Sequence, residues 1–404
     1  MIKEYIKRES YLKKIGPFIN KDIIKVLVGE RCVGKSYILY QIMDMILEED
    51  KSANIIYINK ELSDFDHITD HKSLLKFVEE KTEASKKRNF LFIDEIQDII
   101  SFEKALRSLK ASGKYDIYCT GSNANMLSSD LSTYLSGRYI EIEIHSLSYA
   151  EFLLFHKLEE NEESLLSFIK YGGLPYLIHL ELNDDVAYDY LRNVKNTILF
   201  KDIISRFNIR NVAFLERLVE YIADNLGSLV SAKKISDFLK SQQTKISPSV
   251  VLDYLSHLRS AFFIHQVQRQ DIKGKKIFEV NDKYFFEDLG LRNSIISYNQ
   301  ADIGKVLENL VFSHLKASGY NVRAGQLGKK EIDFIGEKDG ERLYVQVAYL
   351  ITDENREREF GNLLEIDDNY PKLVVSMDTL IGGSSYKGIK HVNLRHFLTS
   401  PIAY

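Results

Sequence analysis

The chain has no tryptophan, only two cysteines and no excess of positive charge among its 404 residues. The missing tryptophan says nothing sharp about function. Cys32 and Cys119 are too few for a disulfide framework, so a small stapled extracellular domain is excluded and a reducing cytosol fits best. A net charge of −4 argues against coating nucleic acid by charge alone, although a local basic face stays compatible with it. No run reaches the roughly 18 apolar residues that a membrane helix needs. The first residues, Met1-Ile2-Lys3-Glu4-Tyr5-Ile6-Lys7-Arg8, are charged from the start and lack the apolar stretch of a signal peptide. The expected location is the cytoplasm, with no membrane contact. Repeats, low-complexity tracts and long linkers are absent as well.

What is present is a folding composition, 45% hydrophobic and 28% charged. The length exceeds one ordinary core, so several domains are expected. Short runs rich in Ile, Val, Phe and Tyr occur at Ile23–Val28, Asn54–Ile58, Phe90–Ile93, Asp116–Thr120 and Tyr139–Ile144, with amphipathic stretches between them. That alternation predicts β-α-β units around a largely parallel sheet buried on both faces. Beyond Ile144 the strand signal stops. Ser148–His156, Asn161–Lys170 and Asp185–Phe207 read as helices, broken by Tyr171-Gly172-Gly173-Leu174-Pro175. The glycine pair there is either a hinge or a helix end. Three helices (Ala213–Leu226, Ala232–Lys240, Pro248–Arg259) then precede strand-like Phe262–Val267 and Lys276–Asn281, the order of a winged helix-turn-helix. The tail is mixed α/β, with a helix at Lys305–Ala317 and strands at Asn321–Ala324, Glu331–Ile335, Leu343–Val347 and Lys372–Ser376.

The chemistry is concentrated early. Gly29-Glu30-Arg31-Cys32-Val33-Gly34-Lys35-Ser36 fits G-x-x-x-x-G-K-[ST] without a mismatch, after a strand and before a helix. Such a loop turns its backbone N–H groups toward phosphate oxygens, and the helix adds its positive end. Nucleotide contacts are therefore expected from Gly29, Arg31, Cys32, Val33, Gly34, Lys35, Ser36 and Tyr37. Lys35 would reach the β- and γ-phosphates of ATP. Phe90-Leu91-Phe92-Ile93-Asp94-Glu95 delivers two acids to the sheet edge: with Ser36, Asp94 would hold Mg²⁺, and Glu95 would act as general base on water. After the next strand, Asn123 is the favoured sensor of the γ-phosphate and Ser122 its close rival. Arg138 suits an arginine finger offered to a neighbouring subunit, or else a surface ion pair. Cys32, at a helix start, is either an oxidation point or a loop filler.

In order, the P-loop, Phe92-Ile93-Asp94-Glu95-Ile96-Gln97, Thr120-Gly121-Ser122-Asn123, Leu135-Ser136-Gly137-Arg138 and Tyr171-Gly172-Gly173-Leu174-Pro175 resemble the AAA+-like ATPases of bacteria and archaea that carry a C-terminal domain of unknown function. The resemblance implies an α/β fold: an AAA+-type P-loop core with its first strand central (1–145), a helical lid (146–210), a winged helix (211–295) and a tail similar to the PD-(D/E)xK nuclease fold (296–404). It implies a homo-oligomeric ring, with a hexamer as the candidate size, and places Arg8 toward the adenine. In the tail, Glu308 and Asp333 match the first two acidic positions of that nuclease pattern. Gln346 and Ala348 replace the next Glu and Lys, so nuclease activity is not expected. DNA is a plausible partner through the winged helix and tail, with the wing-tip lysines Lys273, Lys275 and Lys276 as phosphate contacts and Arg259, Arg269 and His265 contributing; a protein partner without DNA is the alternative.

Overall fold

The computed structural model describes residues 5–86, 88–124, 135, 137–241, 246–274, 277–278, 281–378 and 384–402. It divides into two compact bodies, Met1–His145 with Ser260–Phe262, and Ser146–Arg259 with Phe263–Tyr404.

The first body runs α1 (Glu9–Ile15), β1 (Ile24–Val28), α2 (Lys35–Glu49), β2 (Ile55–Asn59), α3 (His71–Lys81), β3 (Asn89–Asp94), α4 (Phe102–Ser112), β4 (Tyr115–Gly121) and β5 (Tyr139–Glu143). Its sheet has the order β2-β3-β4-β1-β5 and every pairing is parallel. Each strand end lies within one residue of the expected one. The apolar runs are continuous because β1, β3 and β4 are buried at every position, as a sheet covered on both faces requires. One expectation fails. The first strand is interior but not central; β4 holds the middle, because only β5 is added beyond β1. Ile24, Val26, Leu91, Ile93, Ile117 and Cys119 form the inner core, with Leu74 and Val78 of α3 and Leu106 of α4 packed on it. At the amino end of the sheet Lys25 and Asp116, both fully buried, form an ion pair. Asp116 also accepts from Tyr118 Oη at 2.8 Å and from the Asn20 backbone N–H at 2.8 Å.

The second body opens with helices α5 (Tyr149–His156), α6 (Glu162–Tyr171) and α7 (Asp184–Thr197), the last continuing as a wider π-helix over Ile198–Ser205. Helices α8 (Val212–Asp224), α9 (Ala232–Ser241) and α10 (Pro248–Ser260) follow, where three helices were expected. Then come β6 (Ile264–Val267), β7 (Arg269–Asp271), β8 (Lys283–Phe286), α11 (Leu289–Ile296) and α12 (Ile303–Ala317). The tail adds β9 (Asn321–Leu327), β10 (Lys330–Lys338), β11 (Glu341–Ala348), α13 (Arg356–Leu364), β12 (Lys372–Ser376), β13 (Ser385–Tyr386), β14 (Ile389–Asn393) and α14 (Leu394–Thr399).

The two-stranded ribbon departs from its expected form. The partner of β6 is β8, in antiparallel register from Ile264↔Phe286 to Val267↔Lys283. Burial decides this: Lys283-Tyr284-Phe285-Phe286 is buried at all four positions, whereas Ile277 is exposed. Residues 276, 279 and 280 of the expected strand lie outside the described residues. Between them, β7 joins the seven-stranded tail sheet, parallel to β9.

The glycine pair ends a helix and permits close packing. Gly172 caps α6 at φ +75°, and a Cβ on it would fall 2.1 Å from Asp288 Oδ1. A Cβ on Gly173 would fall 2.4 Å from the Leu147 carbonyl oxygen. Asp288, buried at the start of α11, accepts from the backbone N–H of Gly173 at 2.7 Å and of Leu291 at 3.1 Å. Nearby Arg292, fully buried, donates to the Ala223 carbonyl at 3.1 Å and to Asp302 at 2.8 Å. The bonds to Gly173 and Ala223 tie α11 back to α6 and α8. Among the described residues no helix is long and apolar enough to cross a membrane.

Candidate functional site

Strand β1 ends at Val28, and the next residues turn sharply into α2. Gly29 is required where it stands: a Cβ there would lie 2.1 Å from the Ile144 carbonyl oxygen. Cys32 (φ +67°) and Gly34 (φ +95°) take left-handed backbone, which closes the loop before the helix begins at Lys35. The Lys35 ammonium is buried. It donates to the carbonyls of Gly29 at 3.0 Å and Glu30 at 2.8 Å, and stands 4.0 Å from Glu95 Oε1. Val33 is fully buried beneath the loop, while Cys32 and Tyr37 are exposed. Arg31 is paired with Glu61 at 3.0 Å.

Strand β3 carries the acids. Asp94 accepts from the Thr120 hydroxyl and is hydrogen-bonded by Ser36. Burial pushes its carboxyl above the usual range, against the pull of those two hydroxyls. Glu95 sits in left-handed backbone (φ +56°), which turns its side chain out of the strand. Burial alone would raise its pKa. The Lys35 ammonium and bonds from Gln97 and Ser122 outweigh that and hold it below the usual range. Ser122 Oγ lies 3.3 Å from Glu95 Oε2. Lys35, Ser36, Asp94, Glu95 and Ser122 thus meet at the carboxyl edge of the sheet. Asn123, buried, follows Ser122 directly.

Arg138 is elsewhere. Its backbone carbonyl accepts from Ile24 at 3.0 Å, so it stands at the amino edge of the sheet, beside the start of β1. The phosphate loop lies at the other end of that strand, a separation of about 16 Å at 3.3 Å per residue. Arg8 is committed to structure: its guanidinium donates to the carbonyls of Val33 at 3.1 Å and His145 at 2.9 Å, and lies over the Tyr11 ring.

The sequence reading overlooked Thr120. Its hydroxyl donates to Asp94 and accepts from the Glu95 backbone N–H at 2.9 Å, so one side chain orients both acids. The available signal was strand length: parallel β3 and β4 pair Ile93 with Cys119, which sets Thr120 beside Asp94. Gln97, quoted only as part of a motif, bonds to Glu95.

Residues 21–153 match the profile of an AAA domain, and residues 162–302 that of a domain of unknown function (DUF8612). An uncharacterized protein of Haemophilus influenzae is 37% identical over 383 residues, covering 93% of this chain and 94% of its own length. An uncharacterized protein of Methanocaldococcus jannaschii is 31% identical over 384 residues, covering 89% and 84% respectively. Among solved structures, the Walker-type ATPase of Pyrococcus abyssi shares the fold, with a TM-score of 0.51 at 18% identity over 72% of this chain and 96% of that one. With a P-loop, a paired acid strand and near full-length relatives in hand, this chain carries an AAA domain and belongs to one family with the uncharacterized H. influenzae and M. jannaschii proteins.

Proposed function

We propose that the chain binds ATP with Mg²⁺ and hydrolyses it to ADP and phosphate, coupling turnover to the binding or remodelling of DNA. The observation that carries the ATPase reading is the meeting of Lys35, Ser36, Asp94 and Glu95 at one sheet edge. The Ser36 hydroxyl and the Asp94 carboxylate, already hydrogen-bonded to each other, are oxygen donors suited to a hard divalent cation. Bound there, Mg²⁺ would neutralise phosphate charge and make the γ-phosphorus easier to attack. The chain's own groups do the rest. Loop amides and the Lys35 ammonium grip the phosphates. Glu95, kept ionised by Lys35 and Gln97, takes a proton from the attacking water.

Lys35→Ala is expected to abolish nucleotide binding at millimolar ATP, read with a fluorescent analogue. Glu95→Gln should keep binding while phosphate release falls by about 10²–10⁴-fold. Near-normal turnover in that variant would move the base elsewhere.

The DNA half has a rival with its own observation. Three of the expected phosphate contacts are engaged inside the chain: Arg259 with Gln266, His265 with Glu287, and Arg269 over the Phe278 ring at 4.7 Å; of the wing lysines, Lys275 and Lys276 lie outside the described residues. That favours a nucleotide-controlled switch acting on a protein. Duplex DNA that stimulates phosphate release, less so as salt rises, supports the DNA reading; no stimulation at low salt supports the switch.

A further inference from the structure

Four charged side chains converge in the second body, far in sequence from the phosphate loop. Lys283, at the start of β8, has a side chain only 3% exposed. Its Nζ lies 2.6 Å from Glu331 Oε1, 2.9 Å from Glu308 Oε2 and 3.9 Å from Asp333 Oδ1. Glu308 comes from α12, and both other acids come from β10. Asp333 is aimed by the Val347 backbone N–H, which donates to its second oxygen at 2.8 Å. Gly227, at φ +66°, walls the cluster: a Cβ there would lie 3.2 Å from Glu308 Oε2.

We infer that Lys283 is the resident cation of this cluster, its ammonium standing where a divalent metal ion would otherwise be held by Glu308, Glu331 and Asp333. The acid pattern of a metal-dependent nuclease therefore does not fit a metal here. Mg²⁺ needs about six oxygens at 2.0–2.1 Å in octahedral array, and an ammonium within hydrogen-bond distance of two of the acids occupies that space. On β11 the neutral Gln346 and Ala348 add no ligand charge that would draw a metal in against it. The tail then keeps a nuclease-like acid cluster as a joint between β8, α12 and β10, closed to metal-dependent cutting. This inference rests on the cluster's geometry and is independent of the ATPase reading.

The test uses the full chain, free of nucleotide and carrying Lys35→Ala to silence the phosphate loop. Titration with Mn²⁺, followed by calorimetry, should show no Asp333-dependent uptake. Adding Lys283→Met should create one Mn²⁺ site at least tenfold tighter than anything in the parent, and Asp333→Asn should remove it again. A parent site that disappears in Asp333→Asn would overturn the inference, as would a folded Lys283→Met chain that gains no site. Should Lys283→Met unfold in metal-free buffer, Mn²⁺ is expected to refold it, read by circular dichroism; failure to refold would count equally against the idea.

Discussion

The Thr120 hydroxyl joins Asp94, the proposed Mg²⁺ ligand, to Glu95, the proposed base that follows it. Replacing it with the isosteric valine leaves a buried carboxylate oxygen of Asp94 and the buried N–H of Glu95 without that partner, at a cost of about 1–3 kcal/mol for each unsatisfied group. Thr120→Val is expected to lower Tm and phosphate release together, and Thr120→Ser to restore both. Unchanged turnover in the valine variant would sink the assignment. Residue positions were legible in the sequence where they depend on neighbours in the chain. The loop from Gly29 to Ser36 and the Asp94-Glu95 pair are local patterns, and they fold as written. Thr120 and Lys283 were opaque because their partners are set by strand register and by contacts more than 20 residues away.

At the scale of elements, the core sheet was readable because burial on both faces writes a continuous apolar run. The ribbon after α10 was not. Lys276–Asn281 has the composition of a strand, but β6 pairs with Lys283–Phe286, which is buried at all four positions. Two predictions belong here. Lys25 is charged inside an apolar sheet, and burial lowers its pKa despite the Asp116 carboxylate beside it. Lys25→Met alone strands that carboxylate and should cost about 3–5 kcal/mol, read by urea unfolding. Lys25→Met with Asp116→Leu should recover most of it, and a single variant as stable as the parent would refute the coupling. The second concerns Asp288, which burial raises from 3.8 to about 6 although Gly173 and Leu291 donate to it. Because the native state holds that proton more tightly, this group's contribution is fully favourable below pH 4. It is lost as pH rises toward 6, by at most on the order of 3 kcal/mol. Urea midpoints between pH 4 and 7 should show that slope in the parent and lack it in Asp288→Asn. Identical slopes would show that Asp288 does not titrate in this window.

At the scale of the whole molecule, Arg138 stands about 16 Å from its own phosphate loop at the strand rise of 3.3 Å per residue, so any role as a finger requires a second subunit. Arg138→Ala should keep nucleotide binding while turnover falls by up to about 10³-fold. Mixing it with Glu95→Gln subunits should restore part of the activity, since each inactive chain supplies what the other lacks. Absence of rescue in mixed oligomers would argue for a surface ion pair instead. A net charge of −4 selects no partner, because a sum over the chain erases local faces.

The short strand β7 has a practical consequence. It lies upstream of α11 and α12 in the chain yet forms the outermost rung of the tail sheet, beside β9. A fragment begun at residue 296 would leave that rung behind and bare the β9 amides and carbonyls to any passing strand, inviting clumping where the intact chain stays capped.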